Sequence, residues 1–260
     1  MATKKGKYYK VEFAYIKELS TLDMYFRKTI LNIALDVEHY LKVKLLNDIS
    51  RNYEENGYNI VECFLKTFPY VKDKILLKSK NSTCEKLIIN NIDRFAAWNI
   101  VEVLSFGDFI NFYRCYYETY SYVYNEQDSM INNLMPVKFL RNAAAHNNCL
   151  LNTLRDNAYN GFTLNKSVNS FITNLKICSR NVLYKKMGNR VMHDFVVLLY
   201  VFCKLTNRKE LCGSRNSTFS NLKSTIDERF TKHSDYFTNN ALLISNYDFL
   251  KKVVDKMAEI

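Results

Sequence analysis

An arginine and a histidine five positions apart, Arg141 and His146, lie in the run PVKFLRNAAAHNNCLLNTLRDNA at residues 136–158. A neutral imidazole can accept the proton of an RNA 2′-OH. A guanidinium can hold the phosphate through two parallel hydrogen bonds and stabilise charge as a pentacoordinate centre forms. Asn142 follows the arginine and precedes the histidine by four residues, a pair that can touch on a helix. Asn142 could orient the imidazole or a phosphate oxygen. Such a set could cleave RNA to a 2′,3′-cyclic phosphate and a 5′-OH, with no metal or cofactor. The same spacing is common on ordinary helices, so spacing alone leaves a solvated face as the other reading.

The motif needs a helix to carry it. A helix turns about 100° per residue, which puts Leu140, Ala144, Leu151 and Leu154 on one core face. Arg141 and His146 then differ by about 140° and project on opposite shoulders of the other face. Asn142, Ala145 and Cys149 lie between them. Small side chains at Ala143 and Ala145 admit a second backbone. A two-fold dimer through this helix would bring two arginines and two histidines into one cleft. The motif reads as half of a composite site in a homodimer.

The surrounding elements also read as helices. Leu22, Phe26, Ile30, Ile33, Val37, Leu41 and Leu45 recur at steps of three or four, the buried stripe of a long helix within 12–50. Residues 51–59 form a loop broken at Gly57, and a short helix within 60–78 stops near Pro69. One helix is expected over 85–105, with Gly107 at its C′ position and Asp108 capping the next helix. That next helix carries Phe109, Phe112, Tyr113, Tyr116, Tyr120 and Tyr124, a core stripe or, alternatively, a base-stacking platform. Asn133 is the expected N-cap of the motif helix, with Pro136 in its first turn and an end near Leu154. A loop at 155–165 leads to helices at about 166–187 and 189–206. After a polar loop, two more are expected near 219–232 and 247–258. The fold class is all-α: a single helical domain over 1–260, with a core of about 12–206 and a C-terminal helical appendage of about 207–260.

Composition agrees with that class and narrows the chemistry. Only 6 Gly and 2 Pro occur in 260 residues, too few for the turns of a sandwich or barrel. The formal charge of +11 suits RNA, DNA or an anionic membrane surface, or merely a basic surface. Between Lys176 and Lys223, ten Lys and Arg face only Asp194 and Glu210. Within that stretch Lys176, Arg180, Lys185, Lys186 and Arg190 are the candidate RNA contacts, with a solvated basic face as the competing reading. The 7 cysteines are odd in number and include no C-x-x-C, against a disulfide framework or a tetrahedral zinc site. They point to a reduced, cytoplasmic chain. The basic start lacks the apolar stretch of a signal peptide, and the run FVVLLYVFC at 195–203 is too short to span a bilayer. His39, His193 and His233 have no partner at metal-ligand spacing and read as structural or surface residues.

Three stretches together resemble a known family. FLRNAAAHNNCLLN resembles the arginine–histidine motif of HEPN domains, with Arg141, Asn142 and His146 matching. WNIVEVLSFGDFINFY at 98–113 resembles the signature W-x-x-x-E-x-L-S-F-G of the abortive-infection phage-resistance proteins of the AbiD/AbiF group. Trp98, Glu102, Leu104, Ser105, Phe106 and Gly107 carry it. The long helix resembles that group's D-x-x-x-R pattern with a later Glu, at Asp23, Arg27 and Glu38. Asn147 departs from the family, where a second histidine often follows the motif histidine. The resemblance implies a HEPN-type helical bundle that dimerises through the motif helices. It implies phage defence by RNA cleavage or RNA binding, in some relatives beside a small non-coding RNA. In that pattern Glu102 pairs with Arg141 or orients His146, or else is a structural partner of Arg27 or another buried base.

Three functions stay open at this level. They are a metal-independent endoribonuclease acting as a toxin, a non-catalytic RNA-binding protein held to a small RNA, and a phage-sensing protein-interaction module.

Overall fold

The computed structural model describes residues 3–4, 7–8, 13–80, 82–121, 128–155, 166–207 and 211–260. The described residues are all-α, apart from a two-residue antiparallel pairing of β1 (Thr3–Lys4) with β2 (Lys7–Tyr8). Backbone contacts divide the chain into two units: Val37–Lys138, and Met1–Asp36 together with Phe139–Ile260. Helices α1 (Phe13–Arg51) and α7 (Asp128–Ala145) contribute residues to both.

The unit Val37–Lys138 also holds α2 (Asn59–Thr67), α3 (Tyr70–Ser79), α4 (Glu85–Asn91), α5 (Ala97–Val103) and α6 (Phe106–Thr119). The aromatic stripe of α6 is core: Phe109, Phe112, Tyr113 and Tyr116 are fully buried, which removes them as a stacking platform. Tyr124 lies outside the described residues. Buried phenols need polar partners. The Tyr117 hydroxyl donates to Asp48 Oδ2 at 2.5 Å, and that of Tyr120 to Glu55 Oε2 at 2.6 Å. Glu55 also accepts the backbone N–H groups of Gly57 and Ile60, so one carboxylate pins the 51–59 loop to α6.

Helix boundaries here differ from the sequence expectation. Pro69 ends α2 and also opens α3, since its ring suits a first helical turn. The expected helix over 85–105 is two, α4 and α5, although no Gly or Pro separates them. Phe95 and Ala96 are buried between them, and the Ala97 N–H bonds the Gly57 carbonyl at 2.7 Å instead of continuing α4. Gly107 is no C′ residue and Asp108 no N-cap. Ser105 caps α6, accepting from Asp108 N at 3.2 Å while its hydroxyl donates to Asp108 Oδ2 at 2.6 Å. Asp108 thus gives its N–H to the cap and accepts the cap's hydroxyl proton, a side-chain pair that holds the serine in its capping position. Ser105→Ala is expected to cost about 1 kcal/mol, read as a lower urea midpoint at unchanged slope.

The W-x-x-x-E-x-L-S-F-G stretch therefore serves largely as scaffold. Trp98 lies against Gly57, whose φ of +80 favours glycine and where a Cβ would come within 2.5 Å of the indole. Leu104 and Phe106 are buried, and Ser105 is the cap.

The other unit holds the ends of α1 and α7 and a 3₁₀ turn, Leu151–Arg155. It continues with α8 (Lys166–Asn174), α9 (Arg180–Met187), α10 (Arg190–Leu205), α11 (Cys212–Thr231) and α12 (Ala241–Ala258). Nearly every residue of α10 is buried, as an all-round apolar helix requires. Around it pack α9, α12 and the 3₁₀ turn, and α11 pairs with α12. Phe195 of α10 meets Phe26 of α1 at 5.2 Å between ring centroids. The expected helix over 166–187 is split into α8 and α9, with Lys176 in the left-handed region at φ 52. The expected polar loop before residue 219 is partly helix, since α11 begins at Cys212, and α12 begins at Ala241 rather than near 247.

All seven cysteines are free. Burial and the neighbouring Cys63 push the Cys115 thiol up to about 12, and burial pushes Cys203 up to about 11. These two thiols stay protonated at neutral pH and pack as small hydrophobes. No helix among the described residues is long and apolar enough to cross a membrane.

Candidate functional site: the end of the motif helix

Helix α7 stops at Ala145, not near Leu154, and the expected N-cap residue Asn133 is instead buried within it. Pro136 is interior to α7 rather than in its first turn, because the helix already starts at Asp128. The motif thus straddles a helix terminus. His146 N still bonds the Asn142 carbonyl at 2.9 Å, so His146 is the last residue tied into the helical ladder. Asn147 N then bonds the Ala144 carbonyl at 3.2 Å, and Asn148 N that of Ala143 at 3.0 Å. With Asn147 at φ 58, these bonds make a Schellman cap, with asparagine at the C′ position that glycine usually fills.

The cap decides what faces solvent. Ala145, His146, Asn147, Asn148 and Cys149 are all exposed, and Leu150 returns to the core. The predicted core face is kept at Leu140, Ala144 and Leu154, while Leu151 is half-buried. The His146 ring makes no hydrogen bond, ion pair or ring contact among the described residues. Arg141 is half-buried, and its Nη1 donates to Asn142 Oδ1 at 3.2 Å. Asn142 therefore engages the arginine rather than His146.

The segment after the histidine is held at three points. Buried Asp23 of α1 accepts the Leu151 N–H through Oδ1 at 2.9 Å and Arg27 Nε through Oδ2 at 2.8 Å. Arg27 Nη1 in turn donates to Asn147 Oδ1. Further on, Asn189 Nδ2 donates to the Thr153 carbonyl at 2.7 Å while its Oδ1 caps α10. The resemblance marked Asp23 and Arg27 as a pattern, and the geometry gives them a task at the motif. The task of Asn147 had a local signal, since asparagine is the usual substitute for glycine in this conformation.

The five candidate RNA contacts divide into two groups. Lys176, Arg180 and Lys185 are exposed, with no carboxylate partner among the described residues. Tyr184, 76% exposed, stands one turn after Arg180 on the same helix. Lys186 is half-buried, its ammonium on Ser245 Oγ at 2.8 Å and Asn246 Oδ1 at 2.5 Å; burial lowers its pKa against the opposing pull of Asp248. Arg190 donates from Nε to Asp194 at 2.8 Å and lies 5.1 Å from the centre of the Phe139 ring. Those two cations are committed within the protein.

Glu102 is exposed on α5, in the unit Val37–Lys138, whereas Arg141 and His146 belong to the other unit. Buried His193 pairs through Nδ1 with Asp194 at 2.8 Å, which makes it structural. His39 is exposed and His233 half-buried, each with a tyrosine ring nearby. No three His, Cys, Asp or Glu side chains among the described residues converge as metal ligands would.

A family model described as Abi-like protein matches residues 1–152. No curated protein and no solved structure matches the chain. The matched span contains the Asp23–Arg27 pair, the 98–107 signature and both Arg141 and His146, and it exceeds half of the 260 residues. The chain accordingly belongs to the Abi-like protein family, the abortive-infection proteins of phage resistance.

Proposed function

We propose that this protein defends against phage as a metal-independent endoribonuclease of HEPN type, with Arg141 and His146 as its catalytic residues. The observation that carries the reading is the placement of His146. A solvent-facing imidazole with no internal partner among the described residues sits at a rigidly capped helix end, five residues after a half-buried arginine. An imidazole kept for structure would be bonded, as His193 is.

In the proposed reaction, His146 takes the proton of a 2′-OH, and that oxygen bonds to phosphorus. The bond from phosphorus to the 5′ oxygen breaks, and an imidazolium returns a proton to the leaving oxygen. Arg141 stabilises the pentacoordinate phosphorane. Asn142 holds the guanidinium by its 3.2 Å bond and so sets the fork toward the phosphate. In a homodimer through the end of α7, exposed Ala145 would let the two copies approach, and each would supply one arginine and one histidine.

The test is to incubate purified protein with RNA in EDTA and to analyse the product ends. Products with 2′,3′-cyclic phosphate and 5′-OH termini support the reading. Intact RNA overturns it, and a monomer by light scattering overturns the composite site.

The second reading is binding of RNA, such as a small non-coding RNA, without cleavage. The three exposed cations Lys176, Arg180 and Lys185 favour it. It predicts salt-sensitive binding with no cyclic-phosphate product.

A further inference from the structure

Resting on the ribonuclease reading above, we infer that Arg27 is a positioning residue for that reaction, anchoring Asn147 so that His146 is presented from one fixed backbone. The His146 side chain has no bond of its own among the described residues, so its place is set by the chain on either side. Upstream that chain is α7. Downstream it turns at once through Asn147, in a left-handed conformation that costs about 1 kcal/mol for most side chains. Arg27 meets this turn as a preoriented fork. Asp23 is only 3% exposed, and both of its carboxylate oxygens are engaged, one on Arg27 Nε and one on the Leu151 N–H. With one edge of the guanidinium fixed this way, Nη1 reaches Asn147 Oδ1. One helix turn of α1 therefore grips the motif segment at Asn147 and Leu151. A cation beside the last carbonyls of α7 is also favoured by the helix dipole.

The alternative is that Arg27 binds RNA phosphate. The two roles differ in kinetics: a phosphate ligand contributes to substrate affinity, whereas a positioning residue acts on the chemical step. Asn147→Gly separates them, because glycine keeps the left-handed cap without strain and takes away the side chain that carries the acceptor oxygen, leaving Arg27 in place. A displacement near 1 Å at a reacting group can slow catalysis by up to about 100-fold.

The experiment uses the full chain with Arg27→Ala, Arg27→Lys, Asn147→Gly and the Arg27→Ala/Asn147→Gly pair. Each is assayed for RNA cleavage in EDTA and for amide hydrogen exchange at Asn147 and Asn148. In both alanine and glycine variants kcat is expected to fall about tenfold with KM within about twofold. The double variant is expected to be no slower than the slower single, since both remove one contact. Arg27→Lys is expected to behave like Arg27→Ala, because an ammonium cannot bridge both partners. Exchange at the two amides is expected to quicken about fivefold or more in Arg27→Ala.

Unchanged exchange overturns the anchoring. A raised KM with parental kcat gives Arg27 to RNA and overturns the positioning role, as do additive losses in the double variant. If the parent cleaves no RNA, the ribonuclease reading fails, and the exchange result alone then decides whether Arg27 anchors the motif end. If Arg27→Ala does not fold, the exposed-site variant Asn147→Gly carries the kinetic test.

Discussion

His146→Ala is expected to slow RNA cleavage by about 100- to 10,000-fold, the usual contribution of a positioned acid–base group. Its stability is expected to stay within about 0.5 kcal/mol of the parent, the range for surface substitutions. The separation follows from geometry. The ring is exposed and makes no internal bond among the described residues, so its removal leaves no cavity and no unpaired group. Arg141→Ala is expected to lose about 100- to 1,000-fold, the effect of deleting one stabilising donor. It costs more stability than His146→Ala, since half-buried Arg141 also packs its stem and bonds Asn142. Arg141→Lys is not conservative here, because a point charge lacks the fork. Single-turnover cleavage in EDTA, with thermal unfolding of the same samples, reads both quantities. Parental cleavage by His146→Ala would remove it from the reaction.

Phe195→Ala is expected to destabilise the protein by about 3–5 kcal/mol. Total stability is usually about 5–15 kcal/mol, so the change could unfold much of the population at physiological temperature. Phe195 is 0% exposed on α10, with its ring against Phe26, and deletion leaves a cavity that a helix buried nearly all round cannot collapse into. Phe195→Leu keeps most of the volume and is expected to cost under about 1.5 kcal/mol. Cleavage should fall with the folded fraction and no further. Urea unfolding measures the first effect, and activity normalised to folded protein checks the second.

Much of the fold is legible in the amino-acid sequence. The spacing of Phe26, Ile30, Val37, Leu41 and Leu45 implies one long helix, because only a 3.6-residue period puts those side chains on one side; α1 is that helix. The tyrosines of α6 are readable as core for the same reason. The scarcity of Gly and Pro excludes turn-rich β folds. Residue types alone mark Arg141, Asn142 and His146 as a set with chemical potential, and the three stretches that point to the abortive-infection family lie within its matched span.

Other features are settled only by tertiary contact. The break between α4 and α5 has no local breaker, because the Ala97 N–H bonds the Gly57 carbonyl, forty residues earlier in the chain. Where the motif helix ends is the same kind of question. Asn147 is a local cue, as asparagine suits the C′ position, but AAAHNN does not forbid another turn, and the helix stops where Asp23 and Arg27 of α1 supply partners for Leu151 and Asn147. Helix propensity is a matter of tenths of a kcal/mol per residue, whereas a hydrogen bond to a charged group, such as that of the Leu151 N–H to buried Asp23, is worth about 1.5–3 kcal/mol. Sequence by itself therefore determined the class of fold and the residues of the motif. Tertiary structure decided that His146 stands at a capped helix end rather than on a continuous helix, because the groups that hold that end lie more than a hundred residues away along the chain.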